Sequence, residues 1–145
     1  MKVIIQRVLK AKVFVDELLQ GEINQGYLLY VCFEKEDTHK QIEACVKKIA
    51  NLRIFQDTEG KMNQDIKQVN GSILSISQFT LSWDGRKGNR PSFEKSMLPE
   101  EASSSYDLFN DSLRSLGIRV ETGLFGADMK VESTNDGPVT FNLSF

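Results

Sequence analysis

The pattern of apolar and polar positions predicts a chain made mostly of strands. Residues 2–8 and 11–16 each carry a strand-type run of Val, Ile and Phe, and the short Leu9-Lys10 connection suggests a hairpin between them. Gly21 and Gly26 punctuate the next stretch. Residues 26–33 are almost continuously apolar, which suits a central strand covered on both faces. After a charged turn at residues 34–37, Thr38 and Gln41 have the spacing of a capping box. Ile42, Cys45, Val46 and Ile49 then recur at helical spacing, predicting an amphipathic helix to about Asn51. Residues 52–55 read as a short strand, residues 56–62 as a turn around Gly60, and residues 65–71 as polar and irregular.

Residues 71–83 begin as an apolar strand and turn polar at Ser77-Gln78-Phe79-Thr80. On an extended backbone Leu74, Ile76, Gln78 and Thr80 share one face. A glutamine and hydroxyls buried there without partners would cost free energy, so the stretch is either a hydrogen-bonded core or the floor of a pocket. Residues 84–91 form a loop with Arg86, Lys87, Arg90 and two glycines, which reads as a solvated loop or as a phosphate-contacting one. Pro99 suits the first turn of a second helix, with Glu100 and Glu101 complementing its positive end. Its apolar face carries Ala102, Tyr106, Phe109, Leu113 and Leu116, and Gly117 ends it. Residues 118–122, 127–134 and 139–145 read as the closing strands. The fold class predicted is α+β, one domain over residues 1–145, with more strand than helix.

Composition sharpens this only slightly. With 40% hydrophobic and 26% charged residues in 145, the chain can bury a substantial core as one domain. No run approaches a membrane span, and the start of the chain has no signal-peptide cleavage pattern. The net charge of −2 does not advertise nucleic acid, so any such contact must be local. Cys32 and Cys45 lie in apolar settings, as buried thiols of a reducing compartment do. No C-x-x-C pair is present and His39 is the only histidine, which leaves a zinc site almost no ligands. His39 falls in the first turn of the first helix, where exposure is expected.

The same scarcity limits the chemistry. Ser77 and Thr80 are the hydroxyl candidates, but a hydroxyl is a weak nucleophile without a base, and none is near in sequence. There is no G-x-S-x-G elbow, no P-loop and no G-x-G-x-x-G. An enzyme of this composition acts on a bond that is already activated, using positioning and backbone oxyanion stabilisation. Asn135-Asp136-Gly137-Pro138 is good turn chemistry before the last strand, and spacing alone does not fix the isomer of its Gly-Pro bond.

Several segments together resemble the D-aminoacyl-tRNA deacylases. They are Ile5-Gln6-Arg7-Val8, Asn51-Leu52-Arg53-Ile54-Phe55, Gly60-Lys61-Met62-Asn63, Ser77-Gln78-Phe79-Thr80-Leu81, Arg90-Pro91-Ser92-Phe93, Phe125-Gly126-Ala127-Asp128-Met129 and Asn135-Asp136-Gly137-Pro138-Val139-Thr140. They run in the family's order over the full length, and the pairing of the Ser77 and Asn135 motifs is specific.

The resemblance implies a compact β-barrel-like sheet with flanking helices, a cytoplasmic homodimer, and a metal-independent hydrolase without cofactor. Its partner would be aminoacyl-tRNA, engaged at the 3′ CCA end. It would cleave the ester of D-aminoacyl-tRNA, and of glycine mischarged onto alanine tRNA, as a proofreading step. Carried over, Gly137-Pro138 would be a cis motif that enters the other subunit's pocket and excludes L-side chains, with Arg7 holding its carbonyls. Ser77, Gln78, Phe79 and Thr80 would form the catalytic wall, with Phe125 and Met129 nearby. Two mechanisms stay open: Thr80 as nucleophile, or assistance by the RNA itself with backbone N–H groups at residues 78–80 stabilising the oxyanion. Three rival readings stand beside them: a tRNA-end binding module without turnover, a structural barrel whose polar strand is a satisfied network, and a relative tuned to another mischarged pair with its Gly-Pro bond in trans. The chain departs from the family pattern at Ser133-Thr134, where apolar residues are common, and at Trp83, where smaller residues are usual.

Overall fold

A computed structural model describes residues 1–86 and 88–145. Strand β1 (Lys2–Val15) is the spine. Along one edge it pairs antiparallel with β2 (Leu18–Ile23) and β3 (Gly26–Cys32), and along the other with β8 (Lys130–Ser144). Two parallel pairings extend the sheet, from β3 to β6 (Ser72–Ser77) and from β6 to β7 (Arg119–Thr122). Helix α1 (His39–Ala50) lies in the β3-to-β6 crossover, followed by the short hairpin of β4 (Phe55–Gln56) and β5 (Met62–Gln64). Helix α2 (Pro99–Ser115) connects β6 to β7. The sheet curls until β2 meets β7: a Cβ on Gly21 would sit 3.0 Å from the Thr122 carbonyl oxygen. The result is an α+β, nearly closed barrel-like sheet with two helices.

The curl separates two apolar layers. Val3, Ile5, Tyr27, Leu29 and Ile73 face the helices and pack with Ile49, Phe109 and Leu113. Val8, Val13, Ile23, Leu28, Leu74 and Ile76 point into the barrel. Alternate β3 residues thus enter opposite layers, as its unbroken apolar run predicts. Helix α1 begins where expected, with the Thr38 backbone N–H donating to Gln41 Oε1 at 2.9 Å. Pro99 opens α2, and Gly117 follows its end at φ +80°.

Four expectations are corrected. There is no turn at Leu9-Lys10; β1 runs straight through, and the hairpin falls at Asp16 and Glu17, both at positive φ. Aspartate at the first of these positions tolerates that region better than Leu or Lys would. The short strand is Phe55–Gln56 rather than residues 52–55. The two C-terminal strands are one, β8, interrupted by a bulge at the Asn135 motif. Leu116 is exposed rather than part of the α2 face, because it caps the helix after the last full turn.

Candidate active site

β6 does not continue to Trp83. The Gln78 N–H donates to the Val31 carbonyl at 2.7 Å, and the chain then leaves the sheet in a single 3₁₀ turn, Phe79–Ser82. Leu81 N–H and Trp83 N–H close it onto the Gln78 and Thr80 carbonyls. The alternation expected over residues 74–80 therefore stops at Ile76, and Thr80 shares no strand face with it. Polar residues suit a turn, where their backbone and side chains bond locally instead of being buried in a ladder. Below the turn, Ser96 Oγ lies 2.7 Å from Ser82 Oγ and 3.2 Å from the Phe79 carbonyl oxygen. Above it, the Phe79 ring is exposed and packs edge-on against Phe93, with centroids 4.9 Å apart.

This turn forms one wall of a cavity of about 660 Å³, a size usual for small-molecule sites. Ser77, Gln78 and Phe79 line it together with Phe125 and Met129, five residues that sequence reasoning named. Phe125 rests against Tyr106, whose hydroxyl donates to the Ser75 carbonyl at 2.7 Å. Met129 packs over Gly123, where a Cβ would overlap its Sδ and push the flexible side chain aside. That contact sits in an unremarkable loop and leaves no signal in the sequence.

Thr80 does not line the cavity. Its hydroxyl accepts a hydrogen bond from Gln78 Nε2 at 2.6 Å, and among the described residues it has no other side-chain partner. An amide donor cannot take its proton. His39 is exposed at the start of α1 and forms no part of the cavity. Cys32 lines the cavity, but burial chiefly, helped by the nearby Glu34 carboxylate, pushes its thiol up to about 11, so at neutral pH it is protonated and unreactive. Of the backbone donors, the Gln78 N–H is already used by Val31. Those of Phe79 and Thr80 open the 3₁₀ turn, where N–H groups have no partner within the helix.

The Asn135 motif is built elsewhere. In the β1–β8 ladder Val8 pairs with Asn135 and Gln6 with Thr140, so Arg7 alone stands opposite residues 136–139. The Asn135 side chain bridges the bulge: its Oδ1 accepts from the Val139 N–H at 2.9 Å, and its Nδ2 lies 3.2 Å from Thr140 Oγ1. Arg7 is only 4% exposed. Its Nη1 donates to the Ile54 carbonyl at 2.5 Å, and its Nε lies 2.9 Å from Asp136 Oδ2, an ion pair outside hydrogen-bond geometry. Arg7 thus engages the motif through the Asp136 carboxylate; among the described residues it donates to none of the motif's carbonyls. Asn135, Asp136 and the Ile54 carbonyl are the supports that sequence reasoning missed, although the Asn135-Asp136 pair is a turn signal.

At the tip, Gly137 has φ +122°, and a Cβ there would meet Val139 Cγ2 at 2.7 Å and Arg7 Nη2 at 3.2 Å. The Gly137–Pro138 peptide is cis, and both residues are exposed. Neither lines the cavity of its own chain, and nor does Arg7. Arg86 and Arg90 are exposed in the loop after the 3₁₀ turn, and Lys87 lies outside the described residues. No group of three His, Cys, Asp or Glu that could hold a metal occurs among the described residues. No helix among them is long and apolar enough to cross a membrane.

A barrel-like α+β chain with a mainly apolar cavity, walled by a backbone turn and with no activated side-chain nucleophile among the described residues, defines the class. A solved structure titled c-Myc DNA Unwinding Element Binding Protein shares this fold at TM-score 0.95 and 39% identity, over 100% of this chain and 99% of that one. A second, described as a probable eukaryotic D-amino acid tRNA deacylase, shares it at TM-score 0.85 and 18% identity, over 98% and 97% of the two chains. Residues 4–144 match the model of the D-Tyr-tRNA(Tyr) deacylase family, and the chain belongs to that family. It is a hydrolase of D-aminoacyl-tRNA.

Proposed function

We propose that the chain acts as a homodimer in which each subunit's Gly137-Pro138 corner enters the other subunit's cavity and forms a chirality wall. The observation that carries this reading is the placement of the corner. It is braced by buried Arg7 and by Asn135, its tip is exposed, and it takes no part in the 660 Å³ cavity of its own chain. Once the amine and ester of an aminoacyl group are fixed, D- and L-residues differ only in where the side chain points. Backbone atoms in the L-direction reject every L-residue by clash, whatever its side chain. D-residues of many kinds are admitted, and so is glycine, including glycine mischarged onto alanine tRNA.

Hydrolysis on this reading needs no protein base. A ribose hydroxyl beside the ester activates water, which adds to the acyl carbon. The bond to the ribose oxygen then breaks and that oxygen takes up a proton, leaving free amino acid and tRNA. Ser77, Gln78 and Phe79 wall the acyl group, and Phe125 and Met129 face them. The Phe79 N–H, on the cavity wall, is the donor free to stabilise the oxyanion. Thr80 holds the Gln78 amide in place instead of attacking. The work is chiral proofreading on the 3′ CCA end of cytoplasmic tRNA.

Matched D-tyrosyl-, L-tyrosyl- and glycyl-tRNA, followed over time as enzyme is titrated down, test the reading. Release from the D- and glycyl-esters with the L-ester spared is expected. Equal release from D and L would remove the wall, and release from none would make the protein a binding module.

A further inference from the structure

We infer that the groove around Trp83 is a second RNA subsite, which stacks the cytosine next to the terminal adenosine of the substrate. The inference rests on the tRNA-end reading above and extends the site beyond the aminoacyl-adenosine. Trp83 is the only tryptophan of the chain, and it is 38% exposed directly after the 3₁₀ turn. With Arg86, Glu94 and Lys95 it lines a cavity of about 380 Å³ that neither the chirality wall nor the hydrolytic step uses. Glu94 also lines the main cavity, so the two adjoin at that residue.

An exposed aromatic ring flanked by cations is what single-stranded nucleic acid binds: the ring stacks a base and the cations track the backbone. The charges fit that division. Lys95 Nζ lies 3.4 Å from Asp84 Oδ2, and the Arg86 backbone N–H donates to Asp84 Oδ1 at 3.1 Å. Asp84 thereby fixes the loop and partly neutralises Lys95. Among the described residues, the Arg86 guanidinium meets no carboxylate at ion-pair distance, which leaves it for a phosphate. Glu94 would repel phosphate, yet a carboxylate is the natural acceptor for the cytosine amino group. A base at the rim with its phosphate toward Arg86 satisfies both.

The sole tryptophan supplies the readout. Titrating the trinucleotide CCA is expected to quench Trp83 fluorescence saturably and salt-dependently, whereas adenosine alone leaves it unchanged. In kinetics, Trp83→Ala is expected to lose about tenfold more kcat/KM on D-tyrosyl-tRNA than on D-tyrosyl-adenosine, and Trp83→Phe to recover most of it. Equal losses on both substrates, or no quenching by CCA in a wild-type protein that hydrolyses D-tyrosyl-tRNA, would overturn the subsite and leave the deacylase reading intact. Failure of the wild-type protein to hydrolyse D-tyrosyl-tRNA would instead remove the reading on which the subsite rests.

Discussion

The cavity wall at Ser77-Gln78-Phe79 ends a strand and the corner at Gly137-Pro138 bulges from the middle of one, and they are held in different ways. The wall is held locally, with Gln78 bonded to Val31 next to it in the sheet and Ser96 under the turn. The corner is held by the neighbouring Asn135 side chain and, in addition, from a distance. A buried guanidinium on β1 reaches the carbonyl of Ile54 across the molecule and the carboxylate of Asp136 above it. A wall that only has to surround a substrate can tolerate small shifts. On the proposed reading, a corner that separates two mirror-related substrates by steric exclusion cannot, since displacing backbone by about an ångström would reopen the forbidden direction. Polar bracing from the core suits that demand for rigidity.

The sharpest way to break the corner is at its tip. Gly137→Val is expected to lower D-tyrosyl-tRNA hydrolysis about 100-fold, because the new side chain collides with Val139 and the backbone sits at φ +122°. Steady-state kinetics beside a circular-dichroism spectrum would check it, and near-normal activity would show that the tip does not need its present shape. Removing the brace comes next. Arg7→Met leaves the buried Ile54 carbonyl unpaired and should cost about 2 kcal/mol in urea unfolding. The Asp136 contact adds little to that figure, because its carboxylate is partly open to water.

Substitutions in the wall should do less. Thr80→Ala is expected to keep turnover within about tenfold of wild type, since it removes only the acceptor of the Gln78 amide. Complete loss of turnover with fold and tRNA binding intact would restore the nucleophile. The smallest effect is at alkaline pH. Burial raises the Cys32 and Cys45 thiols to about 11 and about 12, above the ordinary value of 9.0. The unfolded chain then loses protons first, so stability should fall as pH rises from about 9 through these values. Chemical denaturation at pH 8 and pH 10 would show a lower midpoint at the higher pH.

The two regions are also unequally legible in the sequence. β3, α1 with its capping box and the proline start of α2 can be read directly, because each depends on local periodicity or a local cap. The cavity residues can be named from the sequence, yet their backbone cannot. Alternation over residues 71–83 says strand, and only the bond from Gln78 to a neighbouring strand shows where it stops. The long β1 reads as two strands for the converse reason: its continuity through Leu9-Lys10 comes from pairing with β8, which lies more than a hundred residues away. Asn135 and Asp136 read as turn residues, but the contacts of Arg7 with Ile54 and Asp136 join three distant segments and have no local signature.

The claim that the corner of one subunit completes the cavity of the other is tested most directly by complementation. One variant, Ala127→Phe, would fill the cavity and keep the corner, and the other, Gly137→Val, would spoil the corner and keep the cavity. Each alone should be inactive on D-tyrosyl-tRNA. Co-refolded in equal amounts, they should recover about a quarter of wild-type activity, because random pairing gives heterodimers with one intact composite site. A mixture as inactive as its components, with heterodimers present by mass, would place corner and cavity in the same chain and contradict the proposal.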